Sequence, residues 1–167
     1  MDKPENMTHL NGRELVPKTD QRIALRGKLD TLQSETVLLQ IEACANGYQA
    51  LAVQLEELLL LLHNMILADV KGDAFRFDTL FGMTPDALHD ASHACYRTIK
   101  MPEPLYAMGK VPAMLNLLRA HVREAELTAA ASAECGGNKE VQVALNRLSS
   151  AIYVLFCRLL QPDNGLI

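Results

Sequence analysis

The chain has 167 residues, the size of a single domain that can bury about 70% of its unfolded surface. Its residues are 49% hydrophobic but only 5% aromatic, with no tryptophan, a composition that favours a helical bundle. A net charge of −4 and a pI of about 5.7 argue against a general nucleic-acid binder, which would carry a basic stripe.

The N-terminal region and the cysteines indicate a reduced, cytoplasmic protein. The first residues, MDKPENMTHL, contain no apolar stretch, so the sequence predicts no signal peptide. The four cysteines show neither a CxxC motif nor the spacing of zinc ligands, and unlinked thiols are the simplest account of them. Because residues 1–18 lack helical periodicity, we expect an extended arm there, followed by one helical-bundle domain over residues 19–161 and a tail over residues 162–167.

Two leucine-rich helices follow the arm. The first begins near Asp20, and the second covers about residues 48–70. The apolar run in the second helix is too short and too charged for a membrane span, so we expect a buried helix. Asp30 lies beside the apolar seam of the first helix, and its plainest interpretation is a surface ion pair with Arg26, one turn earlier. The two predicted seams consist of Leu25, Leu29, Leu32, Thr36, Leu39 and Ala43, and of Leu51, Leu55, Leu58, Leu62 and Met65.

A loop and a third helix carry aromatic and imidazole groups. The loop KGDAFRFDTLFGM contains Phe75, Phe77 and Phe81, which either plug one end of the bundle or form a wall against a large flat ligand. The third helix contains His89 and His93 at positions i and i+4. This spacing is compatible with a metal ion, but a third ligand is missing, so we predict no metal site there. A proline-marked crossover, MPEPLYAMGKVP, leads to the last two helices.

The last two helices each combine an apolar seam with a polar flank. In LNLLRAHVREAE the flank consists of Asn116, Arg119, Arg123 and Glu126, beside a seam of Leu115, Leu118, Val122 and Ala125. In the fifth helix the flank consists of Asn146, Ser150 and Tyr153, with Arg147 one position on, beside a seam of Val141, Leu145, Leu148, Ile152, Leu155 and Leu159. One such flank alone is most simply a row of charged side chains on the surface, or a polar patch whose hydrogen bonds are made between neighbouring helices. Two flanks on successive helices favour a shared polar site.

Three separated segments carry a resemblance to a known family. They are VPKTDQRIALRGKLDTL, LNLLRAHVREAE and ALNRLSSAIYV, and they resemble the ATP:cob(I)alamin adenosyltransferases, most closely the ethanolamine-utilisation (EutT) type. The resemblance extends over about residues 7–158, with THL, VPK, LNLLR, VRE and ALNRLSS in the same order. The sequence contains neither GxxxxGK[ST] nor GxGxxG, so a P-loop or a Rossmann nucleotide site is not predicted.

The resemblance implies a fold, an activity and partners. The fold is all-α, a five-helix bundle, commonly a trimer with active sites between subunits; a dimer is the alternative. The activity is transfer of the 5′-deoxyadenosyl group of ATP to Co(I) of cobalamin, with release of triphosphate. Mg²⁺ with ATP, a reductase or flavodoxin-type electron donor, and an ethanolamine-utilisation enzyme or bacterial microcompartment are implied as well. Neither nucleic acid nor a membrane is expected as a partner.

The resemblance also assigns roles to residues of the polar flanks. Asp30 and Arg119 would form the salt bridge that positions the corrinoid. Lys18 and Arg123 would hold the triphosphate, and Asn146 would contact the nucleotide.

Further residues would support this set. Glu126 would hold the arginines or a metal-bound phosphate, and Arg147 would lie at the same edge. Thr8 of the arm would bind ATP, and Ser150 would lie on the corrinoid side. The resemblance implies an aromatic wall under the corrin, for which the candidates are Phe75, Phe77, Phe81 and Tyr106.

The sequence departs from the family in two respects. The propanediol-type pattern has a Gly/Thr-rich N-terminal nucleotide loop and an aspartate where this chain has Ser150, and the EutT type shares both differences with this chain. EutT-type proteins usually carry an additional N-terminal region with a Cys/His metal motif. The sequence as given contains no such motif, so the need for a transition metal stays open, and Mg²⁺ with ATP is the default expectation.

Two other classes of function stay open at this stage. One is a non-catalytic corrinoid- or nucleotide-binding bundle that acts as a carrier or docks into a compartment. The other is a structural bundle whose polar flanks are oligomer contacts.

Overall fold

The computed structural model describes residues 4–99 and 106–161, and it shows five helices preceded by a short β-hairpin. The predicted all-α, five-helix bundle is confirmed. The predicted tail, residues 162–167, and the first five residues of the predicted crossover, 101–105, lie outside the described residues. The elements are β1 (Met7–His9), β2 (Leu15–Pro17), α1 (Gln21–Ala45), α2 (Gln49–Lys71), α3 (Pro85–Ile99), a 3-10 turn (Tyr106–Met108), α4 (Lys110–Glu134) and α5 (Lys139–Leu159).

The predicted apolar seams form the core. Every seam residue predicted for α1, α2, α4 and α5 is buried, because positions three and four apart share one face of a helix. The side chain of Asp20 caps α1 by accepting a hydrogen bond from the Arg22 amide at 2.9 Å. By length and composition α2 could also cross a membrane, but its leucine seam lies in the bundle core.

The helices pack side by side in the order α2, α1, α4, α5, α3. Two ion pairs fix α1 antiparallel to α4: Lys28 with Glu124 at 2.8 Å, and Lys110 with Glu42 at 2.6 Å. Lys110 and Glu124 mark the side of α4 that meets α1. The polar flank of α4 lies instead on the side that meets α5.

The N-terminal arm forms a paired β-hairpin. Strands β1 and β2 are antiparallel, with Thr8 opposite Val16. Leu10 and Val16 are buried, so the hairpin packs on the bundle. A one-sided apolar contact of this kind gives too short a pattern to be recognised in a sequence.

The ion pair suggested for Asp30 and Arg26 does not form. Arg26 instead donates from Nε to Asp69 Oδ2 at 2.7 Å and from Nη1 to the Leu10 carbonyl. The antiparallel pairing of α1 with α2 brings Asp69 to Arg26, and the Asp69 side chain is only 4% exposed, so its charge requires a partner. Asp30 is left exposed on the outer face of α1.

The phenylalanines of the α2–α3 loop plug one end of the bundle. Phe75 is buried, and Phe77 and Phe81 pack against the core. Glutamates hold the loop backbone: Phe75 N donates to Glu140 Oε2 at 2.5 Å, and Phe81 N donates to Glu57 Oε1 at 2.9 Å. The burial of Phe75 supports the structural plug. Phe75 and Phe77 also line a cavity of about 590 Å³, and the interpretation as a wall against a large flat ligand stays a prediction.

Proline and glycine determine the two ends of α4. Helix α4 begins at Lys110, so Pro112, predicted to end the crossover, lies in the first turn, where its missing N–H is not needed. The α4–α5 turn passes so close to α4 that a Cβ on Gly137 would lie 2.2 Å from Ser132 Oγ. Only glycine fits there, which explains why Gly136-Gly137 separates the two helices.

Candidate functional site

The polar flank of α4 borders the core. Arg119 is half-buried, and its Nε donates to Asn116 Oδ1 at 3.0 Å, one turn earlier on the same helix. Arg123 lies one turn further along and is exposed. Because Asn116 holds the stem end of the Arg119 guanidinium, the remaining N–H groups of Arg119 are directed away from it.

The polar flank of α5 faces the polar flank of α4, as expected from the sequence. Asn146 Nδ2 donates to Glu126 Oε1 at 2.7 Å, which joins the two helices at this level. Arg147 Nη1 donates to Asn146 Oδ1 at 3.1 Å, so both ends of the Asn146 amide are engaged. An exposed amide is thereby held in one orientation.

A pocket of about 450 Å³ lies between the two flanks and is closed on its third side by α3. The polar flanks of α4 and α5 gave no indication that α3 contributes to this site. The signal in α3 is the i,i+4 pair of histidines, a spacing that is also compatible with a metal ion. The lining residues are His89, Ser92, His93, Arg119, Arg123, Asn146, Ser149, Ser150 and Tyr153.

The pocket is electropositive. Within the part of the chain that the structure describes, neither Arg119 nor Arg123 forms an ion pair with a carboxylate. Burial, and then repulsion from Arg123, lowers the pKa of the Arg119 guanidinium, which nevertheless stays charged at neutral pH. Two unpaired guanidinium groups one turn apart form a site suited to a polyanion.

The base of the pocket is neutral. Tyr153 Oη is buried, and burial is the main reason why the pKa of the Tyr153 hydroxyl is raised. Burial likewise raises the pKa of the neighbouring Cys157 thiol to about 11. The arginines therefore face no anionic side chain from below, and their charge is available to a ligand.

A larger groove, of about 1060 Å³, lies between the hairpin, the end of α2 and the α4–α5 turn. Two of its three arginines are already neutralised, because Arg22 pairs with Asp20 at 2.8 Å and Arg26 pairs with Asp69, and four carboxylates also line this groove. The smaller pocket is lined by two arginines and by no carboxylate, so it is better suited to binding an anion.

Comparison with known proteins identifies the family of this chain. Residues 2–159 match the family of cobalamin adenosyltransferases, which is nearly the whole chain. The chain belongs to the cobalamin adenosyltransferase family. It is 33% identical over 159 residues to the corrinoid adenosyltransferase EutT of Escherichia coli strain K12, and 35% identical to that of Salmonella typhimurium strain LT2. These matches cover 92% of this chain but 58% of each relative, so the chain spans somewhat over half the length of the EutT proteins.

Solved structures of the same family share the fold. A variant of the PduO-type ATP:corrinoid adenosyltransferase from Lactobacillus reuteri, in which a phenylalanine is replaced by alanine, superposes with a TM-score of 0.68. It is 22% identical and covers 91% of this chain and 87% of its own. The corresponding histidine variant gives 0.66. Both structures are complexes with cobalamin and ATP.

The structure brings together only part of the residue set implied by the family. Arg119, Arg123, Glu126 and Asn146 meet at one pocket, with Arg147 directly behind Asn146. Ser150 also lines this pocket.

The other predicted site residues lie elsewhere in the chain. Thr8 is in the hairpin and Lys18 directly follows it, whereas Asp30 is on the outer face of α1 and contacts neither arginine. Tyr106 is 99% exposed. The corrinoid-wall candidates Phe75, Phe77 and Phe81 belong to the plug, and none of them lines the pocket.

The donor set near the pocket bears on metal binding. Among the described residues no group of three or more histidine, cysteine, aspartate or glutamate side chains could hold a metal ion. Mg²⁺ characteristically takes one or two carboxylates together with substrate phosphates and water. Glu126, next to the arginines, fits that smaller requirement.

Proposed function

We propose that the protein transfers the 5′-deoxyadenosyl group of ATP to Co(I) of cobalamin and releases triphosphate. The observation that carries this proposal is the pair of unpaired arginines, Arg119 and Arg123, facing a pocket whose other charged groups are engaged. Membership of the cobalamin adenosyltransferase family, and the cobalamin and ATP bound to the Lactobacillus reuteri relatives, support it.

The reaction needs positive charge more than it needs an acid or a base. Co(I) donates an electron pair to C5′ and becomes Co(III) as the cobalt–carbon bond forms. The C5′–O bond breaks, and its electron pair leaves with the triphosphate. The corrinoid thus supplies the nucleophile, and the protein supplies position and electrostatic stabilisation.

The chain's residues divide this work between them. Arg123 and the free N–H groups of Arg119 bind the triphosphate, where negative charge grows in the transition state. Asn146, held between Glu126 and Arg147, contacts the nucleotide. When Mg²⁺ is bound, it would be held by the phosphates with Glu126 and would neutralise part of their charge.

The site is completed by a second copy of the chain. Asp30 lies on an exposed face of α1 that continues into Val37, Leu38 and Ile41, which are 43%, 58% and 59% exposed. An apolar face of this kind next to a carboxylate suits a subunit contact. Asp30 of one copy would pair with Arg119 of the next, and Lys18 and Thr8 would arrive with the same partner. A contact between two different surfaces can close into a ring. We propose a ring of three subunits, the size that the resemblance to the adenosyltransferases favours, with a dimer as the alternative.

The setting follows from the relatives. EutT proteins take their name from ethanolamine utilisation, so we place this activity in that process, with a reductase or a flavodoxin-type protein as the source of electrons. Association with a bacterial microcompartment belongs to the same proposal, as does a cytoplasmic location.

The test is an anaerobic assay of the purified chain with ATP, Mg²⁺ and chemically reduced cobalamin. We expect a light-sensitive adenosylcobalamin spectrum together with stoichiometric triphosphate. Arg123→Ala should lower turnover by about 10²- to 10³-fold, as expected for losing one donor to the developing charge. Arg76→Ala is the matched control, because the Arg76 side chain is 86% exposed and remote from the pocket.

The outcomes separate the possible functions. Loss of turnover in Arg123→Ala with unchanged oligomer size and thermal stability supports the enzyme. Binding of ATP or corrinoid by the wild-type chain without any product indicates a carrier. Collapse of the oligomer in Arg123→Ala indicates that the polar flanks are structural.

A further inference from the structure

A continuous chain of hydrogen bonds crosses three helices at the edge of the pocket. It begins at Glu126 on α4, passes through Asn146 and Arg147 on α5, and ends at His89 on α3. The donor–acceptor distances are 2.7 Å, 3.1 Å and 3.4 Å in that order. Glu126, Asn146 and Arg147 belong to the family pattern, whereas His89 is not part of any motif that carries the resemblance.

One nitrogen of Arg147 makes both of the last two contacts. Arg147 Nη1 bears two hydrogens, and it approaches both Asn146 Oδ1 and His89 Nδ1. A guanidinium group has no acceptor, so both contacts are donations from Arg147. His89 Nδ1 must therefore be unprotonated, with the hydrogen of a neutral imidazole on Nε2.

The consequence for Asn146 follows from the two ends of its amide. Glu126 fixes the nitrogen end and Arg147 fixes the oxygen end. Asn146 is exposed, so without Arg147 its oxygen would exchange this contact for water and its side chain would be free to rotate. His89 can therefore act on Asn146 through Arg147 without touching a ligand at Asn146.

We propose that His89 is a positioning residue that orients Asn146 for the nucleotide by holding Arg147, and that protonation of His89 releases this hold. This inference rests on the proposed function, because it takes Asn146 to contact ATP. A protonated His89 loses its acceptor at Nδ1 and places a second cation against Arg147. ATP affinity therefore falls as the pH drops through the range in which histidine gains its charge.

Other titratable and charged groups also face His89. His93 on α3 contacts it edge to face, with ring centroids 4.5 Å apart, and Arg147 contacts it from α5. Across the pocket lie Arg119 and Arg123 of α4 and Tyr153 of α5. Three of these groups are guanidinium cations, those of Arg119, Arg123 and Arg147, and none of the side chains named here is a carboxylate.

The experiment is calorimetric titration of the full chain with ATP between about pH 5.5 and pH 8, the range that brackets histidine protonation. Two substitutions separate the states of His89. His89→Asn retains an acceptor at the position of Nδ1, and His89→Leu removes it. His63→Asn is the control, because His63 is exposed on α2 and remote from the pocket. Dividing the wild-type Kd by that of His89→Asn at the same pH removes the titration of ATP itself, and His63→Asn should follow the wild type at every pH.

The proposal predicts three distinct pH profiles. The wild-type Kd should equal that of His89→Asn at pH 8 and exceed it by about fivefold at pH 5.5, the factor that one net hydrogen bond is worth. His63→Asn should show the same change as the wild type. The Kd of His89→Leu should exceed that of His89→Asn by about fivefold at both pH values, and thermal unfolding at each pH establishes that it is folded.

Two results would overturn the proposal. One is a Kd of His89→Asn that changes with pH as that of the wild type does. This result refutes the proposal even when His89→Leu fails to fold. The other is full affinity at pH 8 in a folded His89→Leu. Failure of the wild-type chain to bind ATP at pH 8 would refute the proposed function, and this inference with it, whereas ATP binding that is indifferent to His89 refutes this inference alone.

Discussion

A site divided between two subunits can be tested by mixing two inactive chains. In the proposed ring each site takes Asp30 from one chain and Arg119 from the next. Asp30→Ala and Arg119→Ala should each be inactive when expressed alone, assayed at a corrinoid concentration near the wild-type KM. Co-expressed with two different affinity tags, they should regain activity, because some neighbouring chains contribute one intact half each.

The recovered fraction can be worked out from the geometry. With equal, random mixing, a site is intact when the chain that supplies Asp30 is the Arg119→Ala variant and its neighbour is the Asp30→Ala variant. This happens at about one site in four, whatever the number of subunits in the ring. A site contained within one chain would be intact nowhere in the mixture.

A second mixture checks the arithmetic. Wild-type chains mixed equally with the Asp30→Ala/Arg119→Ala double variant should retain about a quarter of the wild-type activity for a shared site, but about half for a site within one chain. The assay is the rate of adenosylcobalamin formation by complexes purified through both tags in sequence, corrected for the tag selection. Zero recovery in the first mixture together with one half in the second would refute the shared site.

Two further predictions concern stability and can be checked by denaturation. Asp69→Asn should destabilise the fold by about 3 kcal/mol in urea, because it leaves the Arg26 charge, 18% exposed, without its partner, whereas Glu124→Gln at the exposed Lys28 pair should have far less effect. Stability should fall as the pH rises from about 9 towards 11, because the native Cys157 thiol, with its pKa near 11, keeps its proton after the unfolded thiol has lost it. Cys157→Ala should remove that part of the pH dependence, and an unchanged slope would contradict the assignment.

The core of this protein could be predicted from the sequence because helical periodicity alone determines it. The seams of α1 and α5 follow steps of three and four without interruption, so every predicted member is buried. The facing flanks of α4 and α5 followed from the same periodicity. Their meeting at the Glu126–Asn146 contact required only that successive helices pack against each other.

Partner choice between side chains was predicted less well. Arg26 had an acidic residue one turn away at Asp30, yet it pairs with Asp69, which is distant in sequence and more deeply buried. A local rule favours the near pair by only a few tenths of a kcal/mol, whereas leaving a buried carboxylate unpaired costs several times more. Long-range burial therefore decides the pairing, and burial is not visible before the helices are placed.

The contribution of α3 escaped prediction for a related reason. A histidine pair at i and i+4 is equally compatible with a metal site, a surface and a pocket wall. What distinguishes these is the packing of α3 against α5, which places His89 beside Arg147. The sequence contains the residues of this contact 58 positions apart, with no periodic pattern to connect them.

The electrostatic cost of the pocket is itself an argument for a polyanionic ligand. The partly buried Arg26 is matched by Asp69. Arg119 is partly desolvated, repelled by Arg123 and placed above a tyrosine that stays neutral, so this region lowers the stability of the free chain. A bundle that needed its flanks only for packing would gain by replacing either arginine, since apolar residues of similar volume are often at least as stable as charges in such positions. In the proposed ring Asp30 of a neighbouring copy offsets the charge of Arg119, and the charge of Arg123 is matched when the triphosphate binds.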